Sequence, residues 1–203
     1  MVFALPLFKI KKMTALLTST PVIKKSPRFI SLETFHRLYS NKEDDYCYEW
    51  NNGIVEKSPK SMNRSQLEIV QILSRLFATT QAYRQMGELE KEVKMFLPKA
   101  NRTRVADLAY LTAAQVKEKD DITPSVSEFV IEVISKTDRA DDIDAKVDEY
   151  FADGVKVVWQ IFPKLEKVKV YTSPVSVTIC RGKTLCVAAP VLPDFSIKAE
   201  DIF

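Results

Sequence analysis

Three side chains of this 203-residue chain have the types and settings that chemistry needs: Asp107, Glu132 and Lys146. Glu132 lies in FVIEVIS (129–135). Strand side chains alternate, so Val130, Glu132 and Ile134 share one face with Glu128, and Phe129, Ile131 and Val133 share the other. Both faces read as apolar, which marks a central strand and sets a carboxylate among apolar neighbours. A buried carboxylate takes up a proton unless a cation, a metal or a hydrogen-bond donor meets it. Asp107 lies in RVADLAYL (104–111), on one face with Val105 and Ala109. Asp is disfavoured inside strands, so a cause is expected: a bulge or turn, or a ligand role. If adjacent strands set Asp107 beside Glu132, the two charges repel unless a divalent cation sits between them.

Lys146 belongs to a helix expected over 140–153. With Ile143 at zero and an advance of about 100° per residue, Val147 falls near about 40°, Tyr150 near about −20° and Phe151 near about 80°. These four form the apolar stripe. Lys146 falls near about −60°, at its edge, where an apolar stem can carry the ammonium in over the sheet. The alternative is a solvated pair with Asp142 or Glu149. For Glu132 the alternative is an ordinary strand-end residue, paired with Lys or Arg or simply exposed.

Other candidates read more plainly. Glu92 is a third strand carboxylate or an exposed one. Glu49 and Glu56 flank a hairpin turn, where solvent or cross-strand pairing is ordinary. His36 reads as half-buried packing, and Tyr48, Trp50 and Trp159 as core aromatics before base-stacking ones. Arg64, Arg75 and Arg84 recur along one helix and either face phosphate or lie on an ordinary surface. One histidine excludes any site that needs two. Nucleotide-binding glycine loops and a G-x-S-x-G elbow are absent from the sequence.

The elements that must position these residues follow from periodicity. Ser31 can cap a short helix to about Tyr39, with Leu32, Phe35 and Leu38 near one face. YCYEW and GIVEKSP flank Asn51-Asn52-Gly53 as a hairpin, and Pro59 ends its second strand. Residues 63–83 read as one long helix burying Leu67, Val70, Leu73, Leu76 and Phe77. Strands are expected at 89–97, 103–111 and 126–134, with a polar loop over 115–124. Asp138, with Asp141 three residues on, is expected to cap the 140–153 helix, and Gly154 to stop it. Strands follow at 156–162, 167–173, 175–180 and 184–189. A helix between 126–134 and 156–162 is a crossover that makes those strands parallel neighbours. The fold class is therefore α/β, a mixed central sheet flanked by helices.

Composition bounds the rest. The chain is 46% hydrophobic and 28% charged, with net charge +3. Lys9, Lys11, Lys12, Lys24, Lys25 and Arg28 stand in residues 1–28 without one acid; removing these six leaves 24 basic against 27 acidic side chains. Residues 1–28 read as a basic, flexible tail, either solvated or phosphate-attracting, and 29–203 as a single domain. Met13 is an alternative start. Three cysteines without a C-x-x-C argue against a disulfide framework or structural zinc, and no apolar run reaches membrane-spanning length. A cytoplasmic location is expected.

Taken together, these pieces resemble the large bacterial family of restriction-endonuclease-like proteins, expanded in cyanobacteria, within the PD-(D/E)XK nuclease superfamily. The resemblance runs from about residue 30 to the end and is carried by YEWNNGIVEKSP, RVADLAYL, FVIEVISKTDRADDIDAKVDEYFADGVKVVWQIFP and VLPDFSIKAEDIF. It implies a restriction-endonuclease-like core and a metal-dependent endonuclease acting on DNA phosphodiester bonds. Asp107 and Glu132, with the backbone carbonyl of Val133, would hold Mg²⁺ or Mn²⁺, with no organic cofactor. The superfamily's lysine normally stands two residues after the glutamate; that position is Ile134, and Lys146 takes the lysine's place on the following helix. Two-strand cleavage would favour a homodimer. Ala106 replaces the family's proline, Ser61-Met62-Asn63-Arg64 lacks its histidine, and Gln160-Ile161-Phe162-Pro163 lacks its aspartate. The alternative is a catalytically degenerate protein of this fold that binds nucleic acid or a protein partner.

Overall fold

The computed structural model describes residues 29–60, 63–117, 126–136 and 138–203. The expected basic tail, 1–28, lies outside them, as does most of the 115–124 loop. Ser31 accepts from the Thr34 N–H and starts α1 (Leu32–Phe35), which runs on as a π-helical turn to Ser40. Leu38 faces solvent there. Strands β1 (Tyr46–Asn51) and β2 (Ile54–Pro59) form the expected hairpin, with Asn52 and Gly53 at positive φ in the turn.

The predicted long helix is two helices. α2 spans Arg64–Phe77 and α3 spans Gln81–Arg84. The Thr79 and Thr80 hydroxyls donate back to the carbonyls of Leu76 and Phe77, and extended Thr80 then caps α3 by accepting from the Tyr83 N–H. Leu67 is 46% exposed, and Gln66, Ile69, Val70, Leu73 and Phe77 form the buried face instead. Strands β3 (Glu88–Leu97) and β4 (Arg102–Leu111) match the expected ones closely. A short α4 (Ala113–Lys117) intrudes on the expected loop, and β5 is shorter than read, Phe129–Val133. α5 spans Ala140–Ala152, but its N-cap is Arg139. Asp138 instead accepts from the Ser135 N–H at 2.7 Å and closes the preceding turn. Gly154, at φ 106, ends that stretch. Strands β6 (Val157–Phe162), β7 (Lys167–Ser173), β8 (Ser176–Cys180), β9 (Leu185–Ala188) and β10 (Leu192–Lys198) follow.

The main sheet runs β2-β1-β4-β5-β6-β7-β8, with β3 also paired to β4. β5 and β6 are parallel, as the crossover requires, and the other pairs are antiparallel. β9 and β10 form a second small sheet. One face of the main sheet packs Phe129, Ile131 and Trp159 against Leu73 and Phe77 of α2 and Phe195 of β10. The other packs Val130 and Val158 against Val147 and Tyr150 of α5. All five residues of β5 are buried, so it is the central strand that its two apolar faces implied. Among the described residues no helix is long and apolar enough to cross a membrane.

Candidate active site

Strand β4 changes partners along one edge. It pairs with β1 at Arg102↔Asn51 and with β5 at Leu108↔Ile131 and Ala109↔Val130. Side-chain carboxylates take backbone donors in the gap between. Glu49 accepts from the Val105 N–H at 2.8 Å, and Asp107 accepts from the Val133 N–H at 2.6 Å. Continuing the β4–β5 register by one pair sets Asp107 opposite Glu132.

The backbone kinks here. Ala106 and Ala109 both lie in the cluster on the α5 side although they are three apart, so the alternation of β4 breaks between them. Glu92, across on β3, has φ 51 and is skipped in the ladder between Lys91↔Leu108 and Val93↔Ala106. This irregularity accounts for an Asp inside a strand. Glu92 itself is exposed.

Glu132 is 4% exposed, and both its oxygens are engaged. Lys146 Nζ donates to Oε2 at 2.9 Å, and the Tyr150 hydroxyl donates to Oε1 at 2.6 Å. Lys146 thus reaches in from the edge of the α5 stripe and does not pair with Asp142 or Glu149. Those two acids bind Arg104, which is 1% exposed. Its Nη2 meets Asp142 at 3.0 Å, its Nε meets Glu149 at 2.7 Å and its Nη1 meets Glu49 at 3.1 Å. Arg102 adds ion pairs to Glu56 at 2.8 Å and to Glu149 at 2.9 Å.

Six carboxyl side chains therefore meet three cations: Glu49, Glu56, Asp107, Glu132, Asp142 and Glu149 against Arg102, Arg104 and Lys146. The excess negative charge shows in the ionisation. Burial, and then the Glu132 charge, push the Asp107 carboxyl up to about 7, although the Val133 N–H and Lys146 pull the other way. Burial also raises Glu49, against the pull of Lys146 and Arg104. Burial works against the Lys146 charge, but Glu132, Glu49 and Asp107 outweigh it and hold the ammonium above its ordinary range. Lys146 is therefore a cation and donor at neutral pH. Asp107 is the group placed to exchange a proton there.

The Val133 carbonyl is also engaged. Gln66 Nε2 donates to it at 2.9 Å, while Gln66 Oε1 accepts from the Asn63 N–H at 2.9 Å in the capping box of α2. Among the described residues no group of three or more His, Cys, Asp or Glu stands close enough to hold a metal ion. Two carboxylates with hard oxygens and a surplus of negative charge nonetheless suit Mg²⁺, which commonly takes one or two carboxylates and completes its shell with water and substrate phosphate.

Arg104 and Gln66 are site residues that the sequence reading does not single out, while Glu49 reads there as ordinary hairpin pairing and Tyr150 only as part of the apolar stripe. Apart from the Tyr150–Glu132 contact and the Gln66–Asn63 cap, their partners lie 38 to 67 residues away in the chain. The available signal was a pair of arginines two apart in an otherwise apolar strand. His36 exchanges a hydrogen bond with Ser40 and packs edge-on against Phe35. Tyr48, Trp50 and Trp159 are core residues, and Arg64, Arg75 and Arg84 lie on the surface.

Comparison with known proteins agrees with this architecture. The family described as "Uma2: Putative restriction endonuclease" matches residues 32–200. A crystal structure described as a putative nuclease belonging to DUF820, from Anabaena variabilis, matches with a TM-score of 0.71 and 14% identity, covering 86% of this chain and 97% of that one. At that identity the likeness is one of fold. No curated protein matches.

Proposed function

The chain belongs to the Uma2 family, and from that premise we propose that it is a metal-dependent endonuclease that hydrolyses DNA phosphodiester bonds. The observation that carries the reading is the meeting of Asp107, Glu132 and Lys146 where β4 passes from β1 to β5. Asp107 and Glu132, with the Val133 carbonyl, would hold Mg²⁺ or Mn²⁺. Such an ion supplies Lewis-acid polarisation of a phosphoryl oxygen and a lowered pKa for water.

The protein's own groups do the rest. Lys146, charged and half-sheltered, would donate to negative charge gathering on the phosphate. Tyr150 fixes the orientation of Glu132 from a fully buried position. Arg104 anchors α5 to β1 and β4 through Asp142, Glu149 and Glu49, so the helix bearing Lys146 holds its place. Cutting both strands would call for two copies of the site, hence a homodimer.

A second reading is favoured by one observation: every candidate ligand atom of Glu132 and Val133 already has a partner within the chain. In that reading the three residues are a structural ion cluster, and the protein binds nucleic acid or a protein partner without cutting.

Plasmid incubated with Mg²⁺ or Mn²⁺ separates the two, run beside Asp107→Ala and Lys146→Ala. Metal-dependent nicking that disappears in both variants is the expected result. DNA bound in EDTA, with no nicking by the wild type, would establish the second reading instead.

A further inference from the structure

The sheet row that carries Glu132 does not stop there. Glu132 pairs with Gln160 on β6, and Gln160 with Lys169 on β7. Residues directly paired across a sheet project from the same face, so Lys169 stands on the face of the candidate site. Two inter-strand spacings put its Cα roughly 10 Å from that of Glu132. Lys167 follows on the same face, paired with Phe162. Arg181 continues the β7–β8 register opposite Lys167, one step beyond Val168↔Cys180.

These three cations form one group. Lys167 Nζ lies 4.4 Å from the Phe162 ring centre and Lys169 Nζ 5.4 Å from it. Arg181 Nη1 donates to the Leu165 carbonyl at 2.6 Å, which steadies the guanidinium and leaves its other N–H groups open. Among the described residues none of the three makes an ion pair with an acid, and neighbouring Glu166 is exposed. Burial, and then the like charges of Lys169 and Arg181, push Lys167 down. Three unpaired cations held together on a sheet face ask for an anion.

We propose that Lys167, Lys169 and Arg181 cradle the phosphate backbone of DNA beside the point of cutting. The proposal rests on the nuclease reading and places its substrate. Gln160, buried between Glu132 and Lys169, donates to the Ile143 carbonyl, so the start of α5 lies over β6; exposed Asp141 and Asp144 there repel phosphate, and the backbone is held on β7, past the helix. Phosphate contacts of this kind set register and orientation without reading sequence.

The test is anisotropy of a fluorescein-labelled duplex in EDTA over a range of salt concentrations. Each lost phosphate contact lowers the slope of log K against log salt by about 0.9. Lys167→Ala/Lys169→Ala is therefore expected to reduce the slope by about 2 and weaken low-salt binding about tenfold or more. Lys167→Arg/Lys169→Arg is expected to keep both, and matching thermal midpoints show that each variant is folded. An unchanged slope and affinity in the alanine variant, or a wild type that binds no duplex, overturns the cradle. The nuclease reading is judged separately. Asp107→Ala should lose nicking yet keep the wild-type slope, so the failure of one leaves the other readable.

Discussion

At the scale of single residues, Asp107 is the most telling group. Its carboxyl titrates at about 7 in the folded chain and near about 3.9 when unfolded. Between those values the folded state holds a proton that the unfolded chain has released. Stability therefore falls as pH rises through that window, and the penalty is fully present above pH 7. Asp107→Asn cannot ionise and should gain up to about 4 kcal/mol over the wild type at pH 8, with little difference at pH 4; urea melts at the two pH values check this. Lys146 gives a different signature. Lys146→Met frees Glu132 Oε2, so Mg²⁺ should bind more tightly by calorimetry. Nicking should nevertheless fall about a hundredfold, because the donor to the phosphate is gone. A variant that binds metal more weakly and still cuts would contradict the assigned role.

At the scale of elements, α5 is held to the sheet by ions as well as by its apolar stripe. Arg104 is buried and carries three acids at once. Arg104→Ala takes the nearer cation from Glu49 and one of two from Glu149, leaving Arg102 alone to face both, and should cost about 3 kcal/mol in a denaturant melt. Arg104→Lys should recover little of it, since a point charge cannot span the three partners that the planar fork reaches.

Strands β1 to β9, the hairpin and the edge position of Lys146 were legible in the sequence, because each is set by local periodicity; β10, which opens on Leu192-Pro193-Asp194, was not. The apolar alternation of FVIEV and the roughly 100° steps of the helix needed no partner to be read. The kink at Glu92 and Asp107 was only half legible: an Asp in a strand announced it, but the direction of the break depends on two neighbouring strands. Leu67 was misread because Gln66 turns inward to the Val133 carbonyl, a contact 67 residues away. The break after Phe77 was misread because Thr79 and Thr80, unremarkable by composition, bond back to the helix end. A long-range hydrogen bond decided the first misreading and local side-chain bonds to the helix end decided the second, and propensity decided neither.

At the scale of the whole molecule, the chain sums two opposite charge patterns into a net +3. Residues 1–28 hold six cations and no acid, while the candidate site holds more carboxyls than cations. A divalent ion that binds only the folded state adds RT ln(1 + [L]/Kd), about 2.7 kcal/mol at a hundredfold excess over Kd. Millimolar Mg²⁺ should accordingly raise the melting temperature of the wild type and leave that of Asp107→Ala/Glu132→Ala unmoved. A rise of equal size in both would place the ion elsewhere.

The Gln66 bridge links the first turn of α2 to the end of β5 through one amide, with one end on the Asn63 N–H and the other on the Val133 carbonyl. A cation that claims the lone pair on which the amide rests pushes that amide aside, and the opening turn of the helix then loses its tether. Deuterium uptake at the backbone amides of residues 64–67 should quicken when Mg²⁺ is added, so a helix that touches no metal would become the gauge of whether the seat is filled.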